Sequence, residues 1–108
     1  MEQINKIELQ GYVGTVRTNI VGDRMVANFS VATEYFYKSK DGSGISETMW
    51  HNVVWWTGTD TPEIHNISKG AAVYVCGRTR CNKYTSADGT EKQIYEVIAS
   101  KVKLLKEE

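Results

Sequence analysis

The sequence is poor in the residues that usually mark catalysis, metal binding or export. Cysteine and histidine each occur twice in 108 residues, and proline occurs once. Cys76 and Cys81 lie five apart, so on one strand they face opposite ways, which speaks against an intrachain disulfide. Together with His51 and His65 they form no recognisable metal-ligand spacing, and no metal or cofactor is expected. No apolar run approaches the roughly 20 residues that span a bilayer, and Met1–Lys6 lacks the apolar core of a signal peptide. A soluble cytoplasmic chain with reduced thiols and no membrane partner is the expectation. There is no glycine-rich phosphate loop at a strand–helix junction and no paired-carboxylate signature, and neither cysteine sits at an evident helix N-terminus. Gly42-Ser43-Gly44 reads as a hairpin tip, so no enzyme is expected. Thirteen basic and thirteen acidic residues cancel, which argues against coating of nucleic acid by bulk charge.

What is present is alternation. β-branched and aromatic residues recur every second position between turn signals, and the length suits one domain, residues 1–108. Five strands are expected: Asn5–Thr18, Met25–Tyr37, Glu47–Trp56, Ala71–Tyr84 and Lys92–Leu105. Gly11 and Gly14 mark a bend or bulge in the first. Asp60 or Thr61 can cap, Pro62 can start and Gly70 can end a one- or two-turn helix between the third and fourth strands. The expected fold is all-β, a five-stranded Greek-key OB-fold barrel with that short helix and long hairpins.

All three tryptophans lie in Trp50-His51-Asn52-Val53-Val54-Trp55-Trp56. Trp50, Asn52, Val54 and Trp56 share one strand face, and His51, Val53 and Trp55 the other. Tryptophans are often core residues. The neighbouring Asn52 makes Trp50 and Trp56 an exposed platform for a partner, whereas Trp55 and Val53 are assigned to the core. Tyr35, Phe36 and Tyr37 cannot all face one core, and Tyr37, beside the Lys38–Gly44 loop, is assigned outward. Between Lys69 and Lys83 the charges are Lys69, Arg78, Arg80 and Lys83, with no acid among them. Such a cluster is a binding field or a solvated strand edge.

These stretches carry a resemblance. Asn5-Lys6-Ile7 through Gly11, Asn28–Thr33, Glu47–Val54, Lys69–Arg78, and Tyr84 through Asp88-Gly89 follow in the order of the bacterial single-stranded DNA-binding proteins of the homo-oligomeric OB-fold family. The resemblance implies binding and protection of single-stranded DNA in replication, recombination or repair. Base stacking falls on Tyr37, Trp50, Trp56 and Tyr84, and phosphate contacts on Lys38, Lys40, Arg78, Arg80 and Lys83. It also implies a homodimer or homotetramer, with Ile7, Leu9, His51, Tyr74 and Cys76 assigned to the subunit contact. Cellular members of the family continue into an acidic, partner-recruiting tail. This sequence stops at Lys106-Glu107-Glu108, so tail-mediated recruitment is not expected, and a plasmid, phage or transposon version is an option. Two other functions are compatible with the sequence: a primosomal accessory factor acting through protein contacts, or an adaptor barrel whose aromatic face is a protein interface.

Overall fold

Alternation becomes five long strands: β1 Ile7–Val21, β2 Arg24–Lys38, β3 Gly44–Gly58, β4 Ala72–Thr85 and β5 Glu91–Leu104. The computed structural model describes residues 1–58 and 66–105. The strands close into a barrel in the order β1-β2-β3-β5-β4, with β4 returning to β1. All neighbours are antiparallel except β3 and β5, which pair in parallel over Val53–Trp55 and Val97–Ala99. This is the expected OB-type Greek-key barrel. The expected helix falls mainly on residues 59–65, outside the described residues; from Asn66 to Gly70 there is a turn and no α-helix.

The core follows from period-two alternation. Val31, Val53, Val73 and Val75 are the largest fully buried side chains, joined by Leu9, Val13, Phe29, Trp55 and Val97. Each buried aliphatic side chain stabilises by about 1.5–3 kcal/mol. Two glycines allow backbones to meet. A Cβ on Gly11 would overlap the Ala32 carbonyl, and one on Gly77 the Ile98 carbonyl. Gly77 also sits where β5 bulges, since Cys76 pairs with Lys101 but Gly77 with Ala99.

The β2–β3 and β4–β5 ribbons outrun the core and project as arms. Their tips share one construction. In Ser39-Lys40-Asp41-Gly42-Ser43, the Ser43 amide donates to Asp41 Oδ1 at 2.9 Å and the Ser39 hydroxyl donates to the same carboxylate. In Ser86-Ala87-Asp88-Gly89-Thr90, the Thr90 amide donates to Asp88 at 3.0 Å and the Ser86 hydroxyl repeats the second bond. Gly42 and Gly89 take φ of 86° and 84°, the left-handed conformation that disfavours a side chain. These bonds favour the ionised carboxylates and hold both aspartates at about 2.

Candidate nucleic-acid interface

The bulge in β1 creates a seat for Trp50. Val13 pairs with Val31 and Val16 with Phe29, so Gly14 and Thr15 together oppose Ser30. Ser30 Oγ accepts the displaced Thr15 amide at 3.0 Å and lies 3.1 Å from the Thr15 hydroxyl. Gly14, without a side chain, lets the Trp50 ring lie against its backbone; a Cβ there would overlap the ring edge. One side of the indole is thus supported, and Trp50 remains 56% exposed. A cavity of about 460 Å³ beside it is lined by Gly14, Thr15, Ser30, Trp50 and Lys69.

Trp56 lies six residues along the same face, about 20 Å away at 3.3 Å per residue, and is 41% exposed. The Arg24 guanidinium stands 5.3 Å from its ring centroid, a cation–π contact that fixes one face of the indole. Its cross-strand neighbour Val26 is buried although it points outward. Trp55 and Val53, of opposite parity, are core residues as expected.

Between the two tryptophans runs a groove of about 490 Å³, floored by Ser30, Asn28 and Asn52 and bounded by Arg17, Asn19, Ile94 and Glu96. Cross-strand rows explain its composition. Arg17 pairs with Asn28, Asn28 with Val54, Val54 with Ile98 and Ile98 with Arg78. The next row carries Ser30, Asn52, Glu96 and Arg80, because Ser30 pairs with Asn52, Glu96 with Arg80, and the Val53–Val97 pair sets Asn52 beside Glu96. Tyr84, 49% exposed, shares the parity of Arg80 and Asn82 on this side of the β4–β5 arm.

Not every expected residue joins this face. Tyr37 is 39% exposed, yet it pairs with Ile45 five residues beyond the Ala32–Trp50 pair and so points to the opposite side of the β2–β3 arm. There it stacks on Tyr35 at 6.0 Å, and its hydroxyl donates to Glu47 at 3.3 Å. Phe36, 70% exposed, is the arm aromatic on the Trp50 side. Counting parity from Ala32 identifies it. Lys38, Lys40, Arg78 and Lys83 are exposed, with Lys83 on the face opposite Tyr84. Arg80 bridges Glu96 at 2.8 Å, so β5 supplies the acid that the Lys69–Lys83 segment lacks. Arg17 and Arg24 are cations at the site that local sequence context did not single out. Only strand register brings them there.

The residues assigned to a subunit contact divide in two. Leu9 is 6% exposed and belongs to the protomer's own core, so its side chain is unavailable to a partner; Ile7 packs partly against the same core. His51 pairs with buried Val31 on the inward parity, shares a 2.8 Å hydrogen bond with Thr33, and has its pKa lowered by burial. Tyr74 and Cys76 point outward on β4. The Tyr74 hydroxyl donates to the Glu8 carboxylate, which pushes its pKa up to about 12. β1 pairs with β4 over Ile7–Tyr12 but with β2 only from Tyr12 onward. Among the described residues, the other backbone edge of Ile7–Gln10 therefore has no strand partner. Cys76 and Cys81 are free thiols. Among the described residues no three His, Cys, Asp or Glu side chains are grouped to hold a metal ion, and no helix is long and apolar enough to cross a membrane.

The model of the single-strand binding protein family matches residues 4–105. The chain belongs to this family. Single-stranded DNA-binding proteins of Neisseria meningitidis serogroups A and B are each 33% identical over 105 residues, covering 94% of this chain and 60% of the relative. The one from Xanthomonas axonopodis pv. citri is 34% identical over 104 residues, covering 94% and 58%. The chain thus spans about 60% of the length of the curated relatives it matches. Among solved structures, the Plasmodium falciparum SSB complex with ssDNA superposes with a TM-score of 0.85 at 33% identity, covering 98% of both chains. The Thermus aquaticus single-stranded DNA binding protein, as a deletion mutant, gives 0.75 at 16% identity over 95% of this chain and 51% of that one, a likeness of fold.

Proposed function

We propose that the chain binds single-stranded DNA without requiring a defined sequence, and protects it during replication, recombination or repair. The observation that carries this is the Trp50 ring, backed by Gly14, open to solvent beside Lys69 and aligned with Trp56 across a polar groove. Every base offers a face to such rings. Trp50, Trp56 and Tyr84 stack bases on the groove side, and Tyr37 takes a base where the strand passes around the β2–β3 arm. Arg78, Lys38, Lys40 and Lys83, with Arg17, Arg24 and Lys69, meet phosphates; Arg80 does so while sharing its charge with Glu96. Family membership and a structural neighbour described as a complex with ssDNA support the reading. The role is binding rather than catalysis, in the cytoplasm of a bacterial cell, from a chromosomal or mobile-element gene.

The chain assembles with itself, as a homodimer or homotetramer. Its contacts are the open edge of Ile7–Gln10 and the outward β4 residues Tyr74 and Cys76. The functional test is a titration with oligothymidine while tryptophan emission is followed at low and high salt. Quenching that weakens steeply with salt is expected. Emission unchanged at saturating strand refutes the platform.

A further inference from the structure

The β4–β5 arm carries a phenol ring on each face. Tyr84, directly opposite Lys92, is on the groove side. On the far side stands Tyr95, which pairs with Cys81 and is 69% exposed. Lys83 pairs with Gln93, so on the far face it is the diagonal neighbour of Tyr95, about 7–8 Å away. Each face thus offers one tyrosine and one exposed lysine. The other charge on this part of the far face, Glu91, lies four residues from Tyr95, about 13 Å along the strand. The cation is the nearer of the two to the ring.

The Tyr95 ring is not used by the fold. On the β2–β3 arm the far-side rings of Tyr35 and Tyr37 stack on each other. Tyr95 has no ring or cation–π contact among the described residues. The arm is a bare two-stranded ribbon at this level, because β4 pairs with β1 only as far as Gly77 and β5 with β3 only from Val97. Neither edge of the ribbon between Arg80 and Glu96 has another strand beside it among the described residues, so the way round the arm is open. Tyr84 and Tyr95 lie three residue positions apart along the ribbon, about 10 Å. An exposed ring stacks a base of any kind, and an ammonium beside it meets the adjoining phosphate. Lys83 points away from Tyr84, so a strand confined to the groove side cannot use it.

Resting on the reading of the chain as a single-strand binder, we propose that the far face of the β4–β5 arm is a further binding site for single-stranded DNA. The strand turns round the arm from Tyr84, one base stacks on Tyr95 and the neighbouring phosphate meets Lys83.

The test uses the full chain and an oligothymidine of about 16 nucleotides, the upper end of what an OB-fold covers. Tryptophan quenching gives the affinity. Tyr95→Ala should weaken binding at least about fivefold, the loss of one stacked base. Tyr95→Phe keeps the ring and should stay within about twofold of the unaltered chain. Lys83→Gln should flatten the slope of log affinity against log salt by about 0.7. In the unaltered chain, an oligothymidine carrying 5-iododeoxyuridine should crosslink on irradiation to Tyr95 as well as to Trp50 or Trp56. Tyr95→Ala binding as tightly as the unaltered chain overturns the proposal, even where its melting temperature falls. A salt slope unchanged in Lys83→Gln also overturns it. So does weakened binding of Tyr95→Ala accompanied by a lower assembled mass in sedimentation, which marks the ring as a subunit contact. Crosslinking needs no variant and decides if Tyr95→Ala does not fold: crosslinks at the tryptophans without one at Tyr95 overturn the proposal. Failure of the strand either to quench emission or to crosslink anywhere overturns the single-strand reading itself, and this proposal with it.

Discussion

A methyl group at Gly14 would press on side chains, the far edge of the Trp50 ring and the Ser30 hydroxyl, whereas one at Gly11 or Gly77 would press on backbone carbonyls. The difference separates function from folding. Gly14→Ala should lower the melting temperature less than Gly77→Ala, since both groups it meets are side chains that can turn, but lift Trp50 from its seat, shifting its emission and weakening strand binding. Gly77→Ala should cost about 1–3 kcal/mol or more of stability, because an overpacked backbone contact cannot relax by a rotamer change. Denaturant midpoints set against binding titrations distinguish the two. Trp50→Ala removes a stacking surface and should cost about 1–3 kcal/mol of binding. At this scale the sequence was informative where parity alone decides: Trp55 and Val53 inside, Trp50 and Trp56 outside. It also indicated that Tyr37 is outward, as it is, whereas register decided that Tyr37 lies on the far side of the arm and Phe36 on the Trp50 side.

At the scale of elements, the two arms end in tips of the same design, Ser-x-Asp-Gly-Ser/Thr. A carboxylate whose folded pKa is depressed contributes stability above its unfolded pKa and loses it as pH falls through the folded value. For Asp41 and Asp88 that window runs from their ordinary 3.8 down to about 2. The tips should therefore keep their order at pH 5 and loosen below pH 3, seen as faster exchange of the Ser43 and Thr90 amides. Carboxyl titration by NMR should give midpoints near 2, and values near 3.8 would remove the design. Asp41→Asn retains an acceptor and should keep the tip ordered, whereas Asp41→Ala should not. The strands were legible because period-two alternation runs nearly unbroken through each. The Gly14 bulge was legible too, since glycine inside a strand marks a break in register. Legibility ended at the β3–β4 connection. Apart from Ile64 and Ile67 it offers little periodicity, and residues 59–65 lie outside the described structure.

For the molecule as a whole, rows of residues across the barrel set the electrostatics. Zero net charge coexists with a cationic rim because Arg17, Arg24, Lys69 and Arg78 converge on one side. Each phosphate contact on a single strand contributes about 0.7 to the slope of log affinity against log salt. Arg78→Ala should flatten that slope by about 0.7 and weaken binding equally for all strands. Arg80→Ala should change the slope less, since its charge is already shared with Glu96. Sedimentation equilibrium should return a multiple of the protomer mass, and Tyr74→Arg should lower it. A wild-type monomer at every concentration would refute the assembly. The Lys69–Lys83 cluster contains only Lys69 and Arg78 of this rim, because Arg17 and Arg24 come from strands distant in sequence.

Alternation, turn chemistry and ordered motifs determined the class of fold, the strand boundaries to within a few residues, the core and the two outward tryptophans. Each of these is decided by neighbours along the chain, where sequence spacing and spatial spacing coincide. Tertiary structure alone decided that Glu96 meets Arg80, that Arg24 covers Trp56, that Gly14 supports Trp50 and that Leu9 is committed to the core. Those pairings depend on register between strands and on barrel closure. A shift of one residue reverses every side chain, and nothing in a single strand records which residue of another will lie beside it.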